Sequence, residues 1–291
     1  MEHIVDLITT VVPVYNRFEY LNDCLESVLS QTRPPDEVLV VDDCSSNSVQ
    51  EYLATTPFEN QVTVLRTDRN RRVSGARNWG WRHARGNLIT FIDSDDLWEP
   101  RKMEMQLRHL RENPDADGVF GAMTAFSPDG RTQPWANNRP PLLTVASALI
   151  DLTIPIQTLM LRRSALEQIG GFDESFGILD DKDVTLRLAL HGFRIDCIAD
   201  PAVTRYRRTD TNFSANAGLF LREDLRINRR RRALMDEVYG PGSSRVNLAH
   251  ILVRYGRSVR YLGLPTRFVA QLLVLSAPRS RMPQPAPRLF L

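Results

Sequence analysis

Asp93, Asp95 and Asp96 put three carboxylates within four residues, directly after the apolar run 88–92 that predicts a buried strand. Carboxylates a few Å apart repel by roughly 4 kcal/mol at a surface-like effective dielectric, so at neutral pH such a cluster needs a proton, an arginine or a divalent cation. A hard cation with oxygen ligands suits it best. The plainer reading is an acidic loop that starts a helix near Pro100. Two further acidic groups occur. Asp42-Asp43 closes the apolar run 37–41, and Asp180-Asp181 precedes the helical spacing of Val184, Leu188 and His191. At a helix start the dipole and the free N–H groups favour ionised carboxylates. The sequence therefore expects Asp180 and Asp181 to be charged, whether they do chemistry or only cap the helix. His83, His109 and His191 lie within helical patterns and read as surface or packing residues rather than ligands.

The elements that must position these acids follow from periodicity. Residues 7–14 read as a strand, 20–30 as a helix with Leu21, Leu25, Val28 and Leu29 on one face, and 37–41 as a second buried strand. Ser45-Ser46-Asn47 supplies cap chemistry for a helix ending near Thr55. Residues 62–65 form a strand, 75–84 a helix ended by Gly86, and 88–92 the strand that delivers the acidic turn. Strands alternating with helices mean βαβ units and an α/β, doubly wound, mainly parallel sheet flanked by helices. Ligands of such sheets sit beyond the carboxyl ends of the strands, which is where Asp42, Asp43, Asp93, Asp95 and Asp96 fall. The second half is less regular. It predicts a helix over 100–113, a strand over 118–124, a lid or acceptor loop over 127–141 and a strand over 156–161. Ser164 and Glu167 have capping-box spacing for a short helix, and 194–198 and 202–206 read as edge strands.

A formal net charge of +2 over 291 residues argues against a general nucleic-acid binder. Cys24, Cys44 and Cys197 are odd in number and widely spaced, which fits a reducing compartment and no disulfide framework. The start of the chain lacks a signal-peptide pattern, so a cytoplasmic protein is expected. From residue 218 the chain turns basic and apolar, predicting a helical C-terminal extension over 218–291 with a long basic helix through Leu219, Leu225, Leu234 and Val238. Residues 262–277 are apolar but too short and interrupted to span a bilayer. Arg254, Arg257, Arg260, Arg267, Arg279 and Arg281 could instead rest on an anionic membrane surface, or the segment could pack on protein.

Residues 8–17, 27–32, 37–43, 75–78, 91–96 and 180–181, in that order, resemble the family-2 glycosyltransferases with the GT-A fold, over about residues 7–214. The resemblance implies a catalytic domain over 1–217 that moves a sugar from a nucleotide-diphosphate sugar, UDP- or dTDP-linked, to an acceptor hydroxyl with inversion. It implies Mg²⁺ or Mn²⁺ at Asp95 and Asp96, with Asp93 near the ribose. Asp43 and Asp42 would accept from the nucleoside base, and Pro13 and Tyr15 would border its ring. Arg72 would touch base or phosphate, unless it is simply a solvated charge. Asp181 would be the general base and Asp180 its alternate. Acceptors of this family are saccharides, lipid-linked or other hydroxyl compounds in polysaccharide, glycolipid or glycoconjugate synthesis, which fits an enzyme peripheral to the inner face of a membrane. One departure stands out: Thr209 occupies the place where many relatives carry a metal-side His, leaving Arg207, Arg208 or Asp210 as stand-ins. The Gln-x-x-Arg-Trp pattern of processive synthases is absent, which predicts one sugar per encounter. A nucleotidyltransferase would want a Gly-rich loop where Pro13 to Arg17 stand, and a non-catalytic nucleotide-sugar-binding protein is the third reading.

Overall fold

The computed structural model describes residues 6–127, 131–134, 142–150, 153–209, 217–245 and 248. In chain order the first half holds β1 (Ile8–Val14), α1 (Leu21–Leu29), β2 (Glu37–Asp42), α2 (Val49–Leu53), β3 (Thr63–Arg66), α3 (Arg72–His83) and β4 (Leu88–Phe91). There follow β5 (Leu97–Trp98), α4 (Lys102–Glu112), β6 (Gly118–Gly121), β7 (Met123–Phe126), β8 (Thr132–Pro134) and α5 (Val145–Ile150). A single 3-10 turn (Ile156–Thr158) leads to β9 (Met160–Arg162), α6 (Arg163–Gln168), α7 (Asp180–Leu190), β10 (Ile195–Ile198), β11 (Thr204–Arg207) and α8 (Ala217–Tyr239).

Seven strands form one sheet in the order β10-β6-β9-β4-β1-β2-β3, parallel except for β9, which runs antiparallel to both neighbours. β1 is almost wholly buried because its apolar residues face helices on both sides of the sheet. Register sets the rim: Val14 pairs with Asp42 and Val11 with Phe91, so the ends of β1, β2 and β4 lie side by side. α3 approaches closely at Gly80, where a Cβ would collide with Val11 and Val41. A second sheet, β5-β11-β7-β8, continues from the acidic turn.

The chain divides into two compact units, one of Met1–Thr144 with Thr153–Thr209, the other of Val145–Leu152 with Asp210–Leu291. Both sheets belong to the first. Within the second, α8 buries Leu221, Ile227 and Met235, and Arg231 Nη1 donates to the Ala148 carbonyl of α5 at 3.4 Å.

Several expected elements are corrected. Residues 118–124 are two strands in different sheets, not one. The chain steps between them at Ala122, beside a Gly121 that a Cβ would drive into Val203. Residues 156–158 are a 3-10 turn, tied by Thr158 Oγ1 to the Pro155 carbonyl at 2.7 Å, and the strand starts only at Met160. The capping box does not form, because α6 begins at Arg163 and Glu167 pairs with that arginine instead. β10 is an edge strand as expected, whereas β11 lies between β5 and β7. Of the expected loop 127–141, residues 132–134 pair with β7, while 128–130 and 135–141 lie outside the described residues, as do Asp210 and the basic tail from 249 onward.

Candidate active site

At the end of β1, Pro13 is half-buried, Tyr15 is 48% exposed and Asn16 takes a left-handed backbone (φ 56°). Asp42 is turned inward: its Oδ1 accepts from the Ser45 N–H at 2.8 Å, and its Oδ2 pairs with Arg66 at 2.5 Å. Asp43 is buried, and its Oδ1 accepts from the Arg71 N–H at 2.8 Å and from Thr67 Oγ1 at 3.1 Å. Burial pushes the Asp43 carboxyl above its ordinary range despite those donors. Arg72, at the start of α3, is exposed; its N–H donates to Asn70 Oδ1, and its side chain runs beside Gly177.

The acidic turn after β4 is closed by the Asp96 N–H on the Asp93 carbonyl at 3.0 Å. Its three carboxylates have different surroundings. Asp93 is half-buried and takes a short ionic hydrogen bond from Arg77 Nη2 at 2.5 Å. Asp95 is half-buried with Arg17 at 3.9 Å, and its carboxyl is pushed up to about 6 by desolvation and by Asp93. Asp96 is fully buried; its Oδ2 accepts from Gln157 Nε2 and its Oδ1 from the Arg207 N–H, each at 2.9 Å. Desolvation, then Asp95 and Asp93, raise Asp96 well above the usual carboxylate range. An acid cluster in this state is short of positive charge.

Arg77 joins this turn to the second acid cluster. Buried on α3, it gives Nη2 to Asp93 and Nη1 to Asp180 Oδ2 at 2.6 Å, with the ring of Phe172 5.7 Å from its guanidinium. Burial alone would lower its pKa, but Asp180 and Asp93 outweigh that and raise it. Asp180 is buried and also receives Ser74 Oγ at 3.3 Å. Asp181 is half-buried; its Oδ1 accepts from the Lys182 N–H, and among the described residues no arginine is bonded to it. Its carboxyl is pushed up to about 7, first by desolvation and then by Asp180, with Arg77 opposing. The expectation that the helix start keeps Asp181 ionised is thereby weakened: desolvation and Asp180 leave it only partly ionised near neutral pH. Leu179, in a left-handed conformation (φ 58°), turns the chain into α7 so that the two aspartates lead it.

Arg207 grips the turn from the other side. Its Nε donates to the Asp95 carbonyl at 2.8 Å, its Nη2 pairs with Asp23 at 3.0 Å, and its guanidinium lies over Tyr20 at 4.2 Å and Phe126 at 4.8 Å. Arg208 reaches Gln133 instead. Arg77 and Gln157 are the residues that sequence reasoning missed as site members. A usable signal existed for the first: Arg77 follows Ser74-Gly75-Ala76, the small residues by which α3 packs closely, so it falls in the buried stretch of the helix and needs a partner there.

Among the described residues no group of three or more His, Cys, Asp or Glu converges on one point. The half-exposed Asp95, backed by Asp96, is a donor set of one or two carboxylates. That suits a magnesium-like ion, which takes its remaining ligands from phosphate and water. The residues present therefore fit the Mg²⁺ or Mn²⁺ that the resemblance implies.

A mainly parallel sheet flanked by helices, with acids along its carboxyl rim, is a GT-A-type architecture, and the chain belongs to glycosyl transferase family 2, whose model matches residues 9–170, more than half of the 291. It is similar to the putative teichuronic acid biosynthesis glycosyltransferase TuaG of Bacillus subtilis, 29% identical over 72% of this chain and 82% of that protein. It is 27% identical to an uncharacterized glycosyltransferase of Haemophilus influenzae, over 69% of this chain but only 65% of that one. The fold is shared with S. aureus TarS 1-349 in complex with UDP-GlcNAc (TM-score 0.66, 21% identity, 84% of this chain and 71% of that chain) and with UDP (TM-score 0.60, 19% identity, 85% and 82%).

Proposed function

We propose that this glycosyltransferase transfers one sugar per encounter, with inversion, from a UDP- or dTDP-linked donor to an acceptor hydroxyl in polysaccharide, glycolipid or other glycoconjugate synthesis. The observation that carries this reading is the Arg77 bridge, which makes Asp93 on the donor side and Asp180 on the acceptor side two ends of one buried network. The UDP and UDP-GlcNAc bound by TarS support a nucleotide-sugar donor. In this reading Asp43, with Asp42 behind it, receives the base against Pro13 and Tyr15, Asp93 meets the ribose, and Arg72 reaches the phosphate side. Asp95 and Asp96 would hold Mg²⁺ or Mn²⁺, which when bound would supply Lewis-acid stabilisation of charge on the departing diphosphate. The catalytic domain is 1–217, and 218–291 is a basic extension that begins with α8.

The chain's own chemistry centres on Asp181. Asp180 is committed to Arg77, whereas the half-buried Asp181 has no such tie among the described residues and a carboxyl pushed up to about 7, close to the best value for a base working at neutral pH. It takes the acceptor proton while the acceptor oxygen bonds to the anomeric carbon from the face opposite the diphosphate. The bond from that carbon to the diphosphate breaks, and its electron pair leaves with the diphosphate. Asp181→Asn should lower kcat by about two to four orders of magnitude with an unchanged circular dichroism spectrum. Release of UDP from a UDP-sugar panel, with pyrophosphate followed in parallel, reads both the rate and the reaction type. Wild-type turnover in the variant, or pyrophosphate as the product, would overturn the reading.

A further inference from the structure

Gln157 lies in the one-turn 3-10 helix, is 6% exposed, and belongs to none of the sequence motifs. Its two ends face different neighbours. Its carbonyl accepts from Trp98 Nε1 at 2.8 Å and from Thr204 Oγ1 at 3.1 Å, while its Nε2 donates to Asp96 Oδ2 at 2.9 Å and lies 3.5 Å from Met123 Sδ. One residue therefore staples Asp96, the last residue of the acidic turn, to Trp98 at the end of β5, and ties both to β11.

The chemistry of the donor matters. Arg77 shares one positive charge between Asp93 and Asp180, whereas the groups bonded to Asp96 among the described residues are neutral N–H donors, from Gln157 and the Arg207 backbone. Neutral donors fix an acid's orientation and leave its charge for something else. We propose that Gln157 is a positioning residue for the reaction, setting the orientation of Asp96 and through it the cation affinity of the acidic turn. This rests on the reading of Asp95 and Asp96 as the cation-holding pair.

The test is uptake of Mn²⁺ by the full chain in the presence of UDP, followed by loss of the free-ion electron paramagnetic resonance signal, with no turnover required. Gln157→Leu keeps the side-chain bulk and deletes the donor, and should weaken Mn²⁺ binding by about 10- to 100-fold, as loss of an outer-shell partner does. Thr158→Val is the control: it deletes the bond from Thr158 Oγ1 to the Pro155 carbonyl in the same buried turn without touching Asp96. It should lower the melting temperature but leave Mn²⁺ affinity within twofold of wild type. Wild-type Mn²⁺ affinity in Gln157→Leu, or equal weakening in Thr158→Val, would overturn the proposal. A wild-type chain that takes up no Mn²⁺ with UDP would instead remove the cation reading itself, and this inference with it.

Discussion

Asp180 and Asp181 are neighbours in different surroundings, and the difference is set by one arginine, which pairs with Asp180. Arg77, shared by Asp180 and Asp93, partly compensates the buried charge beside Asp181 and opposes the rise of its carboxyl to about 7. Under the proposed mechanism activity needs the carboxylate, so kcat/KM should rise about tenfold per pH unit below 7 and level off above it, a limb absent from Asp181→Asn. Stability has the opposite sign. The folded chain holds its Asp181 proton up to about 7 and the unfolded chain releases it near 4, so this group's contribution is fully present below 4 and is lost as pH rises through 7. Asp95, near 6, acts in the same direction. Arg77→Met would leave Asp93 and a 5% exposed Asp180 without their cation, and should cost about 3–5 kcal/mol in urea unfolding. Arg77→Lys should recover part of the stability but little turnover, because an ammonium cannot reach both acids as a planar fork does.

At the scale of elements, α4 carries a cost that no part of the site explains. Lys102 at its first position is fully buried, with Nζ on Gln106 Oε1 at 2.6 Å and 4.1 Å from the centre of the Trp98 ring, and no carboxylate pairs with it among the described residues. Burial holds its pKa well below the ordinary lysine value. In the window between the folded value and the unfolded value near 10.4, the unfolded chain binds the proton more tightly, so stability rises with pH there. Lys102→Met should therefore stabilise by about 1–2 kcal/mol at pH 7, net of the lost Gln106 bond, with the gain shrinking toward pH 10. Thermal unfolding at both pH values checks it. Elements also show what a sequence can convey. β1, β2 and β4 were legible because buried parallel strands are apolar throughout, and the acid groups were legible because they close those strands. The two-residue β5 and the break at Ala122 were not, since each is fixed by pairing with distant segments rather than by local pattern, and the 3-10 turn, closed by bonds among residues 155–159, lies in an apolar run that reads as strand. The same holds in the site: the role of Arg77 depends on a partner 103 residues away, and that of Gln157 on one 61 residues away.

For the whole molecule, no helix among the described residues is long and apolar enough to cross a membrane. We propose that the basic extension brings the enzyme to the cytoplasmic face of an anionic membrane, where a lipid-linked acceptor would lie. Each basic residue near such a surface contributes about 1 kcal/mol, so flotation with anionic vesicles should recover the full chain at low salt, and neutral vesicles should not. Changing Arg254, Arg257 and Arg260 to Glu should abolish recovery; unchanged flotation would remove the membrane role and leave packing on protein as the reading of this segment.

The antiparallel β9 has a consequence for synthesis. It is the strand that joins β6 to β4, so a nascent chain ending near residue 150 has β4-β1-β2-β3 but nothing to seat β6 beside them. Such a chain already carries Asp43, Asp93, Asp95 and Asp96, yet lacks Gln157, Asp181 and Arg207. Under the proposed function, translation would therefore deliver the donor-side acids first and the groups that orient and use them last, with competence for transfer arriving only when the end of the first compact unit has left the ribosome.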